Sequence, residues 1–338
     1  MDLISDIRTV LEVSSVRENT LYMVIPCYNE QEVLPETAKR LKEKMSSLME
    51  QGKISSDSRV VFVNDGSKDR TWEMICKYHR GDSLFSGINL SRNRGHQNAL
   101  LAGLMTVMDD ADMVISMDAD LQDDINAMDE MVEKYLDGCD IVYGVRSKRA
   151  TDTFFKRFTA EGFYHLMNLM GADVIFNHAD YRLMSRRALH GLAQFKEVNL
   201  FLRGIVPMIG YRTDSVLFER SERFAGESKY PLKKMLALAM DGVTSLSIKP
   251  IRMITGTGVL LSFVGLVLLI WLIVKLCMGT ASLAFGILSS LWLLVGLLMV
   301  SIGVVGEYIG KIYLETKARP RFLVQDYLEK EEKNGVQA

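Results

Sequence analysis

Two aspartates one residue apart, Asp118 and Asp120, follow a run of strand-forming residues in the stretch MVISMDADLQDD at 113–124. A strand that ends in four carboxylates stores like-charge repulsion, and something positive must offset it. Oxygen ligands of this kind suit a divalent cation, and Mg2+ typically takes one or two carboxylates together with substrate phosphates. A cation holding a diphosphate is therefore the chemistry these residues suggest. An Asp-x-Asp pair alone is a weak signal, so the elements around it must carry the argument.

Those elements alternate. Leu21–Ile25, Arg59–Val63, Leu84–Leu90, Asp112–Met117 and Asp140–Gly144 read as strands. Helical patterns fall over Glu32–Met49, after Asp69 and over Gln97–Met108. Strands separated by helices imply an α/β fold with a mostly parallel sheet. In such sheets ligands bind beyond the carboxyl ends of the strands. The polar clusters fall at those ends: PCYNE at 26–30, NDGSKD at 64–69, SRNRG at 91–95, Asp118 and Asp120, and GVR at 144–146. Any one of them reads as a turn; five at one edge read as a site. Neither GxGxxG nor GxxxxGK[ST] occurs at these edges, so a glycine-rich phosphate loop is not available.

The chain has 338 residues, 48% of them hydrophobic, and a net charge of −2. That balance gives no global case for nucleic-acid binding. The four cysteines are dispersed and form no CxxC pair, which fits neither a zinc site nor a disulfide framework. The N-terminus lacks the apolar core of an export leader.

Composition shifts after residue 230. No charge occurs from Ile254 to Val274 or from Leu276 to Gly306, and a bilayer core takes about 20 apolar residues per helix. Two membrane spans are expected; a buried helical hairpin is the weaker alternative. Lys249 and Arg252 before them, and Lys311, Lys317, Arg319 and Arg321 after them, place both flanks in the cytoplasm. Leu232, Met235, Leu236, Ala239, Val243 and Leu246 recur at helical spacing and suggest an amphipathic helix at the membrane surface. The alternative is a helix packed on the soluble domain. The expected division is a catalytic domain over 1–230, a juxtamembrane helix over 231–252, two spans over 253–308 and a cytoplasmic tail over 309–338.

Taken together, PCYNE, NDGSKD, SRNRG, DADLQ at 118–122, DYRLM at 180–184, RFAGESKYP at 223–231 and the two spans resemble family 2 glycosyltransferases. Within that family the chain is similar to polyprenyl-phosphate glycosyltransferases such as dolichol-phosphate mannose synthases and bactoprenol glucosyltransferases. The resemblance covers about Leu21 to Arg321 and implies a GT-A fold. It departs from the common pattern at Asp124 and Ile125, where two prolines are frequent, and at Asn64, where many members have Asp.

The resemblance implies roles. Pro26, Tyr28, Glu30 and Asp65 would line the base and ribose of a nucleotide-sugar, and Asp118 would contact the nucleoside. Asp120 and Gln122 would hold Mg2+ or Mn2+ against the diphosphate. Asp180 matches a catalytic base; the alternative is a salt bridge to Arg182 or Arg186. Arg146, Arg157 and Arg223 match basic positions that meet the lipid phosphate or the diphosphate. Lys229 joins the binding groups, with attraction to lipid headgroups as the alternative for it and Arg223. His96 receives no role. The implied reaction is inverting transfer of a sugar, from a UDP-sugar rather than a GDP-sugar, to undecaprenyl or another polyprenyl phosphate. It would occur at the cytoplasmic face of a bacterial plasma membrane, in a possible homotetramer. Competing readings are a polysaccharide synthase and a catalytically inactive nucleotide-sugar sensor or scaffold.

Overall fold

The computed structural model describes residues 19–146, 178–198, 200–219, 270 and 283–329. Among them are eight strands and seven helices, in the order β1 (Leu21–Cys27), α1 (Leu34–Glu50), β2 (Arg59–Asn64), α2 (Thr71–Gly81), β3 (Phe85–Leu90), α3 (His96–Val107), β4 (Met113–Ser116), α4 (Ala127–Leu136), β5 (Ile141–Arg146), β6 (His178–Ser185), α5 (Arg186–Ala193), α6 (Leu202–Met208), β7 (Thr213–Phe218), α7 (Leu283–Lys317) and β8 (Val324–Leu328).

The strands form one sheet in the order β7-β5-β6-β4-β1-β2-β3-β8. Alternate residues of β1 serve opposite faces. Leu21, Met23, Ile25 and Cys27 pack with Leu34, Leu41 and Met45 of α1 and with Met128 and Met131 of α4. Tyr22 and Val24 pack with Leu100 and Leu104 of α3, Leu189 of α5 and Ile205 of α6. This period of two builds a three-layer α/β/α body. Helix α1 buries Leu34, Thr37, Ala38, Leu41, Met45 and Leu48, a stripe at the helical repeat.

Proline is unusual in a central strand because it cannot donate to the ladder. The Val24 carbonyl accepts from the Met117 amide at 3.2 Å, so Pro26, two residues on, also faces β4. The register with β4 stops at Val24 and Ser116. The missing donor therefore costs no ladder bond.

The sheet is mostly parallel, as expected, but mixed: only β6 and β8 run against the other six strands. β1, β2, β3 and β4 are parallel, as are β5 and β7, but β6 runs antiparallel between β4 and β5. That reversal puts the beginning of β6 at the edge where β4 and β5 end. β8 adds a second antiparallel strand, against β3. The expected cytoplasmic tail thus supplies an edge strand of the sheet.

Among the described residues no helix is long and apolar enough to cross a membrane. The second expected span falls on α7, whose backbone runs 35 residues, with side chains described over only part of it. Ile287, Leu291, Leu294, Leu298 and Ile302 on α7 are exposed. The expected surface helix and, Ile270 apart, the first span lie outside the described residues.

Candidate active site

The register of β4 and β6 brings the acids together. Ser116 pairs with Arg182 and Ile115 with Leu183, so two residues past the end of β4 Asp118 comes opposite Asp180. Like charges facing each other across antiparallel strands are destabilising. His96, the first residue of α3, lies between them, with Nε2 3.4 Å from Asp118 Oδ1 and 3.7 Å from Asp180 Oδ2. Burial would lower the imidazole pKa, but the two carboxylates outweigh it and raise it to about 9. At neutral pH His96 is thus a cation that offsets part of the repulsion posed by the sequence.

Asp180 is held by two guanidinium groups as well. Arg182 Nη2 donates to Oδ1 at 2.7 Å, and Arg203 donates through Nε at 3.3 Å and Nη2 at 3.1 Å. Burial alone would push its carboxyl up; Arg203, His96 and Arg182 hold it well below the usual carboxylate range. Arg182 is 2% exposed, and its Nε and Nη1 find no hydrogen-bond partner among the described residues. Arg203 arrives on α6, which is fixed by the Leu202 amide donating to Gln97 Oε1 at 2.9 Å. One helix start, His96 and Gln97, thereby positions both cations.

The loop after β4 is tightly held. Thr37 Oγ1 donates to the Ala119 carbonyl at 2.9 Å from within the core. Asp120 Oδ1 accepts from the Gln122 amide at 3.2 Å, and Leu121 between them has φ 57°. A non-glycine residue in that region is strained and persists only where its surroundings impose it, often at a functional loop. Burial pushes the Asp118 carboxyl up, and Asp180 and Asp120 add to this against the pull of His96. Behind the loop Asp123 is 4% exposed, 3.5 Å from Arg146 Nη2, with Oδ2 unpartnered among the described residues. Burial and Asp118 raise its pKa to about 7 despite Arg146.

The ends of β1, β2 and β3 are laced by neutral contacts. The Asn29 amide donates to Ser67 Oγ at 3.0 Å, the Lys68 amide to Asn29 Oδ1 at 2.8 Å and the Glu30 amide to Thr71 Oγ1 at 2.9 Å. Gly66, with φ 63°, lies so near the next loop that a Cβ there would sit 2.5 Å from the Asn93 nitrogen. A cleft of about 440 Å³ opens here, with Tyr28, Asn64, Trp72, Asn89, Arg92 and Gln325 in its wall.

The structure gathers most of the expected residues at one edge, with some in other company. Pro26 is buried in β1, and Tyr28 and Glu30 lie half-buried in the loop that follows. Asp65 accepts from the Arg94 amide at 2.6 Å and the Gly95 amide at 2.9 Å, so both its oxygens serve the next loop. Asp180 forms the salt bridge to Arg182, the alternative to a catalytic base, whereas Arg186 pairs with Asp112 at 3.1 Å. Arg146 faces Asp123. Arg157, Arg223 and Lys229 lie outside the described residues. His96, Arg203 and Asp123 were not expected. His96 directly follows the SRNRG segment and Asp123 lies within the acidic stretch at 113–124, whereas Arg203 has no motif around it.

Among the described residues no three or more His, Cys, Asp or Glu side chains are grouped to hold a metal. The donor chemistry still suits a hard cation. Asp120 brings a carboxylate and Gln122 an amide oxygen to the same loop, and Mg2+ is typically bound through one or two carboxylates together with substrate phosphates.

The family model for glycosyl transferase family 2 matches residues 22–192. An uncharacterized glycosyltransferase of Bacillus subtilis, YkoT, is 48% identical over 318 residues, 94% of each chain. A prophage bactoprenol glucosyl transferase homolog of Escherichia coli is 38% identical over 306 residues, covering 90% of this chain and 97% of that one. The bactoprenol glucosyl transferase of Shigella phage SfX is 39% identical over 306 residues, covering 90% and 98%. A solved structure of glucosyl-3-phosphoglycerate synthase from Mycobacterium tuberculosis aligns with a TM-score of 0.44 at 17% identity, over 70% of this chain and 81% of that one.

Proposed function

The chain belongs to glycosyl transferase family 2, and we propose that it transfers a sugar from a nucleoside diphosphate sugar to polyprenyl phosphate. The observation that carries the reading is the acid cluster Asp118, Asp120 and Asp180, set among His96, Arg182 and Arg203 at the carboxyl edge of the sheet. The relatives named bactoprenol glucosyl transferase, alike over nearly their whole length, support a polyprenyl phosphate acceptor.

In this mechanism a lipid phosphate oxygen attacks the anomeric carbon, the bond to the nucleoside diphosphate breaks, and the configuration inverts. A phosphate monoester has a second pKa of about 6, so the attacking group is mostly a dianion at neutral pH. It needs little help from a base. Asp180, held well below the usual range, is a poor one. We assign it the orienting of Arg203, whose planar fork suits phosphate oxygens. Asp120 and Gln122 are the residues that would hold Mg2+ or Mn2+. A bound divalent cation stabilises negative charge on the leaving diphosphate.

The uncharged stretches from Ile254 to Val274 and from Leu276 to Gly306 support attachment to a bacterial plasma membrane, with the catalytic domain and both termini in the cytoplasm. UDP-sugars are proposed over GDP-sugars, and a homotetramer over a monomer, on the resemblance of the motifs.

The test uses purified full-length protein in detergent with undecaprenyl phosphate and a panel of radiolabelled UDP- and GDP-sugars, with and without Mn2+, beside Asp120→Ala. Label entering the lipid from one donor, only with metal and only with wild type, is the expected result. Nucleotide binding with no lipid labelled from any donor overturns the transfer reading and favours an inactive sensor.

A further inference from the structure

The C-terminal segment returns from α7 to the catalytic sheet and is fixed at several points. Arg321 Nη1 donates to the Phe195 carbonyl at 3.2 Å, and the Ser91 amide donates to the Leu323 carbonyl at 3.0 Å. β8 then pairs with β3 from Leu90 back to Gly87. Two neighbouring residues of β8 reach the site edge in different ways. Gln325 lines the 440 Å³ cleft beside Tyr28 and Trp72. Asp326 Oδ2 accepts from Asn89 Nδ2 at 2.9 Å.

That bond begins a relay. Asn89 Oδ1 accepts from Asn64 Nδ2 at 2.8 Å, and Asn64 Oδ1 accepts from the Ser67 amide at 3.3 Å. An asparagine amide can bond either way round, because one end donates and the other accepts. A carboxylate only accepts. Asp326 therefore compels Asn89 to turn its NH2 outward and its oxygen toward Asn64. Asn64 must then answer with its NH2, which leaves its own oxygen for the Ser67 amide. The row is fixed from both ends, by the Ser67 amide, which only donates, and by Asp326 of the C-terminal strand, which only accepts, so Asp326 closes and completes the relay behind the cleft.

We propose that β8 is a working part of the donor cleft. Gln325 would contact the nucleoside end of the donor, and Asp326 is a positioning residue that completes the Asn89–Asn64 relay. The inference rests on the proposed function, since the cleft lies beyond the ends of β1, β2 and β3, where ligands of such sheets bind. It adds a determinant well beyond residues 22–192, the part of the chain that the family model matches.

Trp72 in the cleft wall supplies a direct probe: fluorescence titration of the full-length protein with UDP, with Trp72→Phe as the control that loses the signal. Asp326→Ala is expected to weaken UDP binding and raise the donor KM by about three- to tenfold, as the loss of an aligned hydrogen bond implies, and Asp326→Asn, whose oxygen can still accept from Asn89, should lose less. The kcat and the KM for lipid phosphate should stay within about twofold. Asp326→Glu, which keeps an acceptor, should recover most of the loss, and Gln325→Ala should weaken UDP alone. UDP affinity unchanged in Asp326→Ala overturns the proposal. So does a fall in kcat and thermal stability without a change in donor KM, which marks a purely structural strand. Lipid labelling by a wild type whose Trp72 emission ignores nucleotides overturns the cleft assignment and leaves sugar transfer standing. Nucleotide binding without lipid labelling overturns the transfer reading, and the UDP affinities of the variants then decide this one.

Discussion

The two halves of the site edge are built on opposite principles. At the ends of β1, β2 and β3, polar groups are spent on one another: Asn29 with Ser67 and Lys68, Asp65 with the amides of Arg94 and Gly95. At the ends of β4 and the start of β6, charges are crowded and incompletely satisfied. Three carboxylates, one imidazole and two guanidinium groups share the space, and Arg182 keeps two buried nitrogens without hydrogen bonds among the described residues. A satisfied hydrogen-bond lattice is rigid and suits a binding platform. A partly compensated charge cluster is poised for ligands and cations that complete it, as preorganised charge is in catalytic sites.

The contrast yields graded expectations. The largest effect should come from Asp180→Ala. It leaves the buried Arg182 without its carboxylate, and breaking a buried pair costs about 3–5 kcal/mol. Denaturation of the full-length protein should show that loss, together with collapse of transfer activity. Full stability would mean that Arg182 finds another partner.

In the laced half, Gly66→Ala should act through the backbone. The new Cβ would meet the Asn93 nitrogen at 2.5 Å while the residue sits at φ 63°. Forcing a non-glycine residue there costs roughly 1–3 kcal/mol, and nucleotide binding should weaken with it. An unchanged melting temperature and UDP affinity would show that the two loops give way freely.

The smallest expected effect is a change of pH dependence from His96→Gln. The folded-state pKa of His96 is raised from 6.5 to about 9. Its stabilisation is therefore fully present below pH 6.5 and is lost as pH rises through about 9. Wild type should unfold at progressively lower temperature across that window, and the variant should lack this component. Parallel melting profiles for the two proteins from pH 6 to 9.5 would remove His96 from its role as the compensating cation.

Much of the fold was legible because its signals are local. Four of the first five strands are largely apolar runs ended by turn residues, β3 (FSGINL) is an interrupted one, and all five appear within a residue or two of their expected bounds. β6, β7 and β8 were not anticipated. β8 is mostly exposed and polar, and it becomes a strand only because β3 offers it an edge. The site was legible as a set of strand ends. The partners were not: nothing near Arg203 in sequence announces that it will grip Asp180, because the contact spans 23 residues and depends on where α6 docks.

The sequence by itself determined the alternation of strands and helices, the edge at which polar residues gather and the apolar character of the C-terminal segments. Each follows from periodicity and composition, which act over a few neighbouring residues. Only the tertiary structure decided that β6 runs backward, so that Asp180 faces Asp118, that His96 stands between them and that the chain's end closes the sheet beside the cleft. Those facts are set by strand pairing and helix docking between residues far apart in the chain. They also decide the charge state of each acid, because a pKa depends on which groups are near and how much water is excluded.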